Sequence, residues 1–414
     1  MPIRRRLSPV AAVGTEICLN KKNKTSSLIL VACVHAVNHA LFNMLTPLAI
    51  TLMKSFGYNN VAPIALGFTL YLAFYGFAQI PLGFLSDRMS RRTMLGAGLI
   101  LNGLAIAMAG VSTEYTHFLI AMAAAGLGGA TYHPVGAAYL SELYADRKGS
   151  ALGISGIGAT IGLTFGPIIG GRLNMAFGWR PTFIFFAALA VVLGAAFIKF
   201  AAEPPRESAK DGSRASSLWN PALAVVLIIA AAVFTFREFA GWGVYFLVPV
   251  FTEMIHGFNT VRSGLAGGLI SALGFISQPL GGWLSDRFGR KHLMAGFLFL
   301  TAIFLVAIPY SGEKFLFPAI LLYGFTYSAT VPIIDALIAD RTPSRIRGGV
   351  LGIFMASGIG ISAFSPRVMG KIIDSNNAAF SGFSLSFTIL AGCVLVSMII
   401  MLLFKNADSH RSKK

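Results

Sequence analysis

The chain has 414 residues, of which 55% are hydrophobic and only 12% are charged, against about 25% charged residues in ordinary soluble domains. With a mean hydropathy of +0.72, it has more apolar surface than one soluble core can bury and too few charges for a disordered chain. The composition therefore excludes both classes and indicates a polytopic membrane protein. Its three cysteines, an odd number spaced far apart, exclude a disulfide framework or a cysteine metal site.

Twelve apolar runs follow one another along the chain, each close to the roughly 20 residues that span a bilayer as a helix. We therefore predict an all-α polytopic membrane protein with transmembrane helices numbered 1 to 12. The runs cover residues 27–53, 62–86, 93–112, 117–143, 150–175, 180–201, 220–250, 261–286, 291–310, 315–339, 348–373 and 381–404. The predicted divisions are a basic tail at 1–26, six-helix halves at 27–201 and 220–404, a linker at 202–219 and a tail at 405–414.

Lysine and arginine are unevenly distributed over the loops between these helices. If both termini are cytoplasmic, 25 of the 33 basic residues lie in cytoplasmic segments and seven lie on the opposite face. This bias predicts that orientation. It also accounts for the net charge of +17 without a nucleic-acid partner, because the charge is spread over many short loops. The first tail is basic but lacks the apolar region of a signal peptide.

The two halves repeat each other with an offset of 199 residues. GFLSDRMSRR at 83–92, after helix 2, matches GGWLSDRFGRK at 281–291, after helix 8, and Gln79 and Gln278 precede the two motifs at the same distance. Such a repeat is expected of a transporter whose substrate site lies between the halves. Gln79 and Gln278 are candidates to line the pathway; hydrogen bonding between helices is an equal alternative for them.

The duplicated loop motif resembles the signature of the major facilitator superfamily. The resemblance implies that the aspartate and arginines of the motif lock the cytoplasmic gate while the transporter faces outward. The tripeptide Ala-Asp-Arg occurs at the end of helix 4 (145–147) and again at the end of helix 10 (339–341), and it adds candidate partners for the gate. The predicted gate residues are Asp87, Arg88, Arg91, Glu142, Arg147, Asp286, Arg287, Arg290, Asp335 and Arg341. The alternative is loop charge that only orients the protein.

Helix 5 contains seven glycines in GISGIGATIGLTFGPIIGGRL (153–173), which suit close contact between membrane helices. The segment G-x-x-x-G-P-x-x-G-G resembles the antiporter motif of drug/proton exporters within the superfamily, which implies an efflux-type architecture. The matching residues are Gly162, Gly166, Pro167, Gly170 and Gly171. Helix 4 departs from the pattern of those exporters, because Met122 and Ala125 occupy the positions where many of them have an arginine and a glutamine. Proton coupling would then use other groups.

Ionisable side chains at membrane depth are costly and are candidates for function. His35, Asn38 and His39 share one face of helix 1, and helix 4 contains Tyr132 and His133. In the superfamily helices 1, 4, 7 and 10 line the central cavity, which implies that the three histidines share it. Histidine suits a proton carrier or an anion ligand; the alternative is a hydrogen bond that supports packing only. These stretches also resemble the fosmidomycin-resistance type of exporter.

Helix 7 contains the adjacent pair Arg237 and Glu238. Adjacent residues on a helix do not face each other, so we expect each to have a partner elsewhere. Arg237 is a candidate to bind a carboxylate or phosphate bidentately, and Glu238 is a candidate to carry a proton. The alternative is an ion pair that forms an interdomain or extracellular gate.

The sequence therefore predicts a secondary active transporter, monomeric in the membrane, that exports a small organic solute in exchange for protons by alternating access. The alternative is a proton-coupled importer of a small organic anion, such as a carboxylate or a phosphorylated metabolite. No enzyme, cofactor or metal site is expected, because the chain has no nucleotide-binding loop, metal-ligand spacing or nucleophile–base motif. A receptor-like sensor is a third class. Short loops indicate a multi-pass protein of a bacterial inner membrane.

Overall fold

The structure, a computed structural model, describes residues 9–204, 221–341 and 347–403, and the side chains of 24–204, 227–337 and 354–403. Every regular element in these ranges is a helix, which confirms the all-α prediction. Residues 1–8 of the predicted basic tail, the linker from residue 205 onward and the predicted tail at 405–414 lie outside the described residues.

The helices follow the predicted order through both halves. In the first half they are Pro9–Asn43 with Ala49–Ser55 (helix 1), Val61–Phe77 with Gln79–Ser86 (helix 2), Arg91–Val111 (helix 3), Tyr115–Gly129 with Tyr132–Leu143 (helix 4), Lys148–Phe177 (helix 5) and Trp179–Phe200 (helix 6). In the second half they are Pro221–Met254 (helix 7), Thr260–Ala272 with Gly274–Phe288 (helix 8), Arg290–Tyr310 (helix 9), Glu313–Arg341 (helix 10), Arg347–Ser362 with Ser365–Ser375 (helix 11) and Phe380–Leu403 (helix 12).

Eleven helices of the described part are long and apolar enough to cross a membrane. Helix 11 is divided into two pieces, as helices 1, 2, 4 and 8 are, and its side chains at 347–353 lie outside the described residues. Helix 1 begins at Pro9, well before the predicted start at residue 27, because alanine, leucine and lysine continue to favour a helix there. Among the residues whose side chains the structure describes, Lys24–Ser55 of helix 1 is long and apolar enough to cross a membrane.

Proline explains where several of the helices are interrupted. Pro47, Pro81, Pro134 and Pro366 each lie four or five residues after the last residue of the first piece of helices 1, 2, 4 and 11. A proline has no N–H to donate to the carbonyl four residues earlier, and its ring crowds that carbonyl. The breaks bring irregular backbone to the middle of these helices, where transporters place their sites.

Helices 1 and 5 pack with their backbones in close contact. Glycines at every fourth residue of helix 5 face the backbone of helix 1 at every fourth residue, at three alanines and at Met44 just after the break, and a Cβ atom on any of these glycines would come within 3.0 Å of these residues. The facing pairs are Gly158 and Ala32, Gly162 and Ala36, Gly166 and Ala40, and Gly170 and Met44. A Cβ on Gly162 would also lie 3.0 Å from Cβ of His39, so this contact fixes the position of His39.

This close contact predicts that Gly162→Ala destabilises the protein, whereas Gly156→Ala, on the same helix, does not. The added methyl at Gly162 meets the backbone of Ala36, whereas Gly156 has open space around its Cα. Overpacking costs about 1–3 kcal/mol, and removing a glycine from an open helical position gains about 0.5–1 kcal/mol. Thermal unfolding of the two purified variants in one detergent tests the difference. Equal melting temperatures would contradict it.

The two halves meet at the ends of the helices remote from the linker, which we call the far side. The carboxylate of Asp374 in helix 11 accepts hydrogen bonds from the backbone N–H groups of Val61 and Ala62 at the start of helix 2, both at 2.8 Å. Arg367 donates to the carbonyl of Ala62. Beside them, Thr260 Oγ1 of helix 8 donates to the Gly171 carbonyl of helix 5 at 3.1 Å. These contacts, the far-side lock, close that side in this conformation.

Candidate functional site

Three histidines from helices 1 and 4 lie together. The ring centroids are 4.9 Å apart for His35 and His39, 5.5 Å for His35 and His133, and 5.8 Å for His39 and His133. His35 and His39 are buried, and His133 is partly buried. The structure thus places them in one cluster, as the family resemblance implies. We call it the histidine cluster.

The orientation of His35 is determined by the predicted Tyr132 and by Ser155, which the sequence did not suggest. Its Nδ1 lies 2.9 Å from the backbone carbonyl of Ser155 in helix 5 and 3.2 Å from the Ser155 hydroxyl. The Tyr132 ring stacks on the imidazole at a centroid distance of 3.9 Å, and its hydroxyl bonds the same Ser155 hydroxyl. Tyr132 and Ser155 therefore position the histidine cluster.

The other predicted polar residues of the cavity have structural partners. Asn38 donates from Nδ2 to the Gly129 carbonyl at 3.3 Å and accepts from Asn102 at 3.1 Å, so it bridges helices 1, 3 and 4. Gln79 donates to the Tyr75 carbonyl on its own helix at 3.2 Å. Gln278 donates to Thr160 Oγ1 of the other half at 3.4 Å, which makes it a contact between the halves.

Arg237 and Glu238 form a buried ion pair with each other, which the sequence did not predict, and each also has the expected partner elsewhere. The arginine side chain is long enough to reach the neighbouring carboxylate. Arg237 also donates from Nε to Thr330 Oγ1 at 2.6 Å and from Nη2 to the Tyr327 carbonyl at 3.0 Å. Its guanidinium lies 3.9 Å from the Tyr327 ring centroid, and the Tyr327 hydroxyl donates to Glu238 at 3.3 Å. Helix 10 thus holds the pair in place.

The histidine cluster and the ion pair occupy equivalent places in the two halves. The repeat offset of 199 residues places Asn38 and His39 at the positions of Arg237 and Glu238. About one helical turn further on, Phe42 of helix 1 contacts Trp242 of helix 7, with ring centroids 5.4 Å apart. His39 and Glu238 therefore lie at similar depth on the two sides of the interface between the halves.

At the linker side the predicted gate residues form ion pairs within each half. Arg91 pairs with Glu142 and lies 3.6 Å from Asp87, and Arg290 lies 3.4 Å from Asp286. Three further gate residues, Arg88, Arg147 and Arg287, are exposed at the same ends of their helices.

Helix 10 carries the last two predicted gate residues. Asp335 lies five residues beyond Thr330, about 7.5 Å along the helix, which places it between the ion pair and the linker side. The side chain of Arg341 lies outside the described residues.

The predicted motif of helix 5 contacts both halves. Gly162, Gly166 and Gly170 face helix 1, whereas Gly171 and Pro167 lie against Gly264 of helix 8. Pro167 therefore packs on the other half and does not interrupt the helix, which continues to Phe177.

A sequence profile of the Major Facilitator Superfamily matches residues 31–281 and 262–414. The chain belongs to the major facilitator superfamily. This confirms the prediction from the duplicated loop motif: the protein is a multi-pass membrane transporter and not an enzyme.

Two relatives of this major facilitator protein have names that refer to different compounds. It is 24% identical over 394 residues, or 91% of this chain and 97% of the relative, to the probable nitrate/nitrite transporter NarK2 of Mycobacterium tuberculosis. It is also 24% identical over 355 residues, or 83% of this chain and 85% of the relative, to the multidrug resistance protein MdtG of Dickeya zeae.

Solved structures of the superfamily share the fold. A bacterial homologue of the human lysosomal transporter Spinster, inward-facing and unoccupied, matches with a TM-score of 0.76 and 16% identity over 92% of this chain and 96% of that one. A D-xylose–proton symporter matches with a TM-score of 0.78 and 17% identity over 92% of this chain and 98% of that one. The two-half architecture of the chain is therefore that of the superfamily.

Proposed function

We propose that this transporter exports a small organic solute in exchange for protons, with the linker side and both termini in the cytoplasm of a bacterial cell. The observation that carries the proposal is the buried ion pair of Arg237 and Glu238 beside the interface between the halves. Ionisable groups at membrane depth are functional candidates by default. Glu238 is the proposed proton carrier.

Exchange requires that the proton and the solute compete for one group. A solute that brings a cation or a hydrogen-bond donor to Glu238 stabilises the carboxylate and so displaces the proton. The rings of Tyr327 and Trp242 near this carboxylate favour aromatic and cationic solutes. After the solute has been released on one side, protonation of Glu238 allows the solute-free transporter to return to the conformation that is open to the other side.

Two further observations support export. The antiporter-like motif of helix 5 packs on both helix 1 and helix 8, so it lies where the halves move against each other. A relative along 83% of the chain is named as a multidrug resistance protein. We propose that the halves at 27–201 and 220–404 move as units in a monomer, and that the predicted gate residues meet across the linker side when the far side opens.

The second candidate is proton-coupled uptake of a small anion. An anion that binds Arg237 would displace Glu238 from the guanidinium and favour protonation of that carboxylate, so that anion and proton move together. Arginine binds planar anions through paired N–H groups. The similarity to a protein named as a probable nitrate/nitrite transporter favours this candidate.

Transport in proteoliposomes with an imposed pH gradient separates the candidates. Ethidium, an aromatic cation, and nitrate serve as probes, and a pH-sensitive dye reports proton movement. We expect ethidium to move against the direction of the protons, and Glu238→Gln to abolish this gradient-driven movement. Glu253→Gln is the matched control, since Glu253 lies near the end of the same helix, more than three turns from Glu238.

The possible results lead to different conclusions. Nitrate that moves together with protons overturns export in favour of the second candidate. If neither probe responds to the gradient, or if Glu238→Gln retains coupling, the assignment of Glu238 as the proton carrier is wrong.

A further inference from the structure

The histidine cluster has the donor arrangement of a metal site. One ring nitrogen from each of His35, His39 and His133 lies within 4.8 Å of the other two, and among the described residues these three form the group that could hold a metal ion. Imidazole nitrogen is a preferred ligand for zinc, copper and nickel. The spacing of the histidines along the chain does not predict this arrangement, because His133 lies on a different helix from the other two.

The hydrogen bonds of His35 leave one nitrogen ready to bind. A backbone carbonyl can only accept, so the 2.9 Å contact with Ser155 places the proton of the neutral ring on Nδ1. The lone pair is then on Nε2, which is buried and has no hydrogen-bond partner in the described part of the structure. A histidine that ligates a metal typically donates its other N–H to a carbonyl in this way, which fixes both tautomer and ring orientation.

We propose that His35, His39 and His133 bind one divalent transition-metal ion, for which Zn²⁺ is the reference. Zinc–nitrogen bonds are about 2.0–2.1 Å long, so ligand nitrogens in a tetrahedral site are about 3.3 Å apart. The ring nitrogens lie within 4.8 Å of one another, so binding requires them to approach by up to about 1.5 Å. Three histidines leave a fourth position for another ligand.

Charge indicates what occupies that fourth position. The three histidines supply neutral nitrogens, so the bound ion keeps its double positive charge at membrane depth, which is costly. An anionic fourth ligand reduces this cost. The site therefore takes a divalent ion together with a small anion, for which azide is a convenient probe. This inference goes beyond the proposed proton exchange and does not depend on Glu238.

Cobalt provides the test, because Co²⁺ replaces Zn²⁺ in sites of nitrogen ligands and its visible absorption reports the coordination geometry. The full chain, purified with a tag that contains no histidine, is titrated with Co²⁺ in detergent. We expect one ion per chain with intense tetrahedral bands, a shift of these bands on addition of azide, and displacement of Co²⁺ by Zn²⁺.

Single variants locate the site. His39→Ala and His133→Ala each remove a ligand, so we expect the affinity to fall by more than about 100-fold, the upper range for loss of a residue that only supports a ligand. His117→Ala is the control, because His117 is exposed and lies on the part of helix 4 remote from the cluster. A loss of bound Co²⁺ in this control, or none in the cluster variants, overturns the assignment.

A cysteine variant answers the objection that the alanine variants simply misfold. His133→Cys provides a thiolate ligand, and we expect it to bind Co²⁺ with a new sulfur-to-cobalt charge-transfer band in the near ultraviolet that the parent chain lacks. A purely structural role of His133 would not produce this band. If the folded parent chain binds no Co²⁺, or if the cysteine variant shows no new band, the proposal is wrong.

Discussion

Replacing Arg237 with methionine is expected to lower the melting temperature of the purified protein by about 10 °C and to abolish transport. The substitution leaves the Glu238 carboxylate buried without its counter-charge. It also removes the donors to Thr330 Oγ1 and to the Tyr327 carbonyl. Breaking a buried pair by removing one partner costs about 3–5 kcal/mol, because an uncompensated charge remains inside.

The double variant Arg237→Met/Glu238→Leu separates stability from function. Replacing both members of a buried pair by apolar residues is often neutral or stabilising, so we expect most of the lost stability to return. Transport should not return, because the proposed proton carrier is absent. The measurement is thermal unfolding in detergent, together with gradient-driven transport in proteoliposomes.

A destabilisation of the double variant as large as that of Arg237→Met would contradict this account. It would show that packing of the arginine stem, and not the unpaired carboxylate, causes the loss. Recovery of transport in the double variant would exclude the pair from the mechanism.

The architecture could be predicted from the sequence because the bilayer imposes a simple rule. Helices must satisfy their own backbone groups and need about 20 apolar residues to cross, so apolar runs indicate helices directly. The duplicated loop motif and the 199-residue offset then indicate two halves. The prolines that interrupt helices 1, 2, 4 and 11 are visible in the sequence. They do not distinguish a break from a continuous helix, since helix 5 continues through Pro167.

The site could be predicted only in part. The shared face of helix 1 placed His35 and His39 together, and the resemblance to the superfamily brought His133 to them. The sequence rule for adjacent helical residues failed at Arg237 and Glu238, because it describes Cβ positions and not the reach of a long side chain. The repeat offset of 199 residues aligns His39 with Glu238. This alignment could have predicted that the two residues occupy equivalent positions in the two halves.

Partners from distant parts of the chain left no sequence signal. Ser155 supports His35 through its backbone carbonyl, and any residue type offers a carbonyl. Asp374 caps a helix more than 300 residues earlier in the chain, and no spacing rule connects the two. Such contacts depend on how the halves pack, which the pattern within one helix does not contain.

The second large effect is expected at Asp374, where Asp374→Ala should shift the transporter toward the state that is open on the far side. Its carboxylate accepts two backbone N–H bonds from the other half, both at 2.8 Å, at the positive N-terminus of helix 2. A hydrogen bond to a charged group contributes about 1.5–3 kcal/mol, and the helix dipole adds about 0.3–1 kcal/mol. When the far side opens, these N–H groups donate their hydrogen bonds to water instead of to Asp374.

The bonds therefore stabilise one state selectively, and their loss changes the balance between the two states. If about 2–3 kcal/mol of the stabilisation is specific to the closed state, the ratio of open to closed molecules rises about 30- to 150-fold. Spin labels on Asn59→Cys and Lys314→Cys, exposed on the far side of the two halves, measure this directly. The native cysteines are first replaced by serine, and distance distributions are recorded by double electron–electron resonance.

Lys371→Gln is the matched control, because Lys371 is exposed on the same segment of helix 11 and its substitution also changes one charge. We expect the long-distance population to grow in Asp374→Ala and to stay unchanged in the control. A similar shift in both variants would mean that charge on this surface, and not the capping of helix 2, sets the balance. No shift in either would mean that the Thr260 and Arg367 contacts keep the far side closed without Asp374.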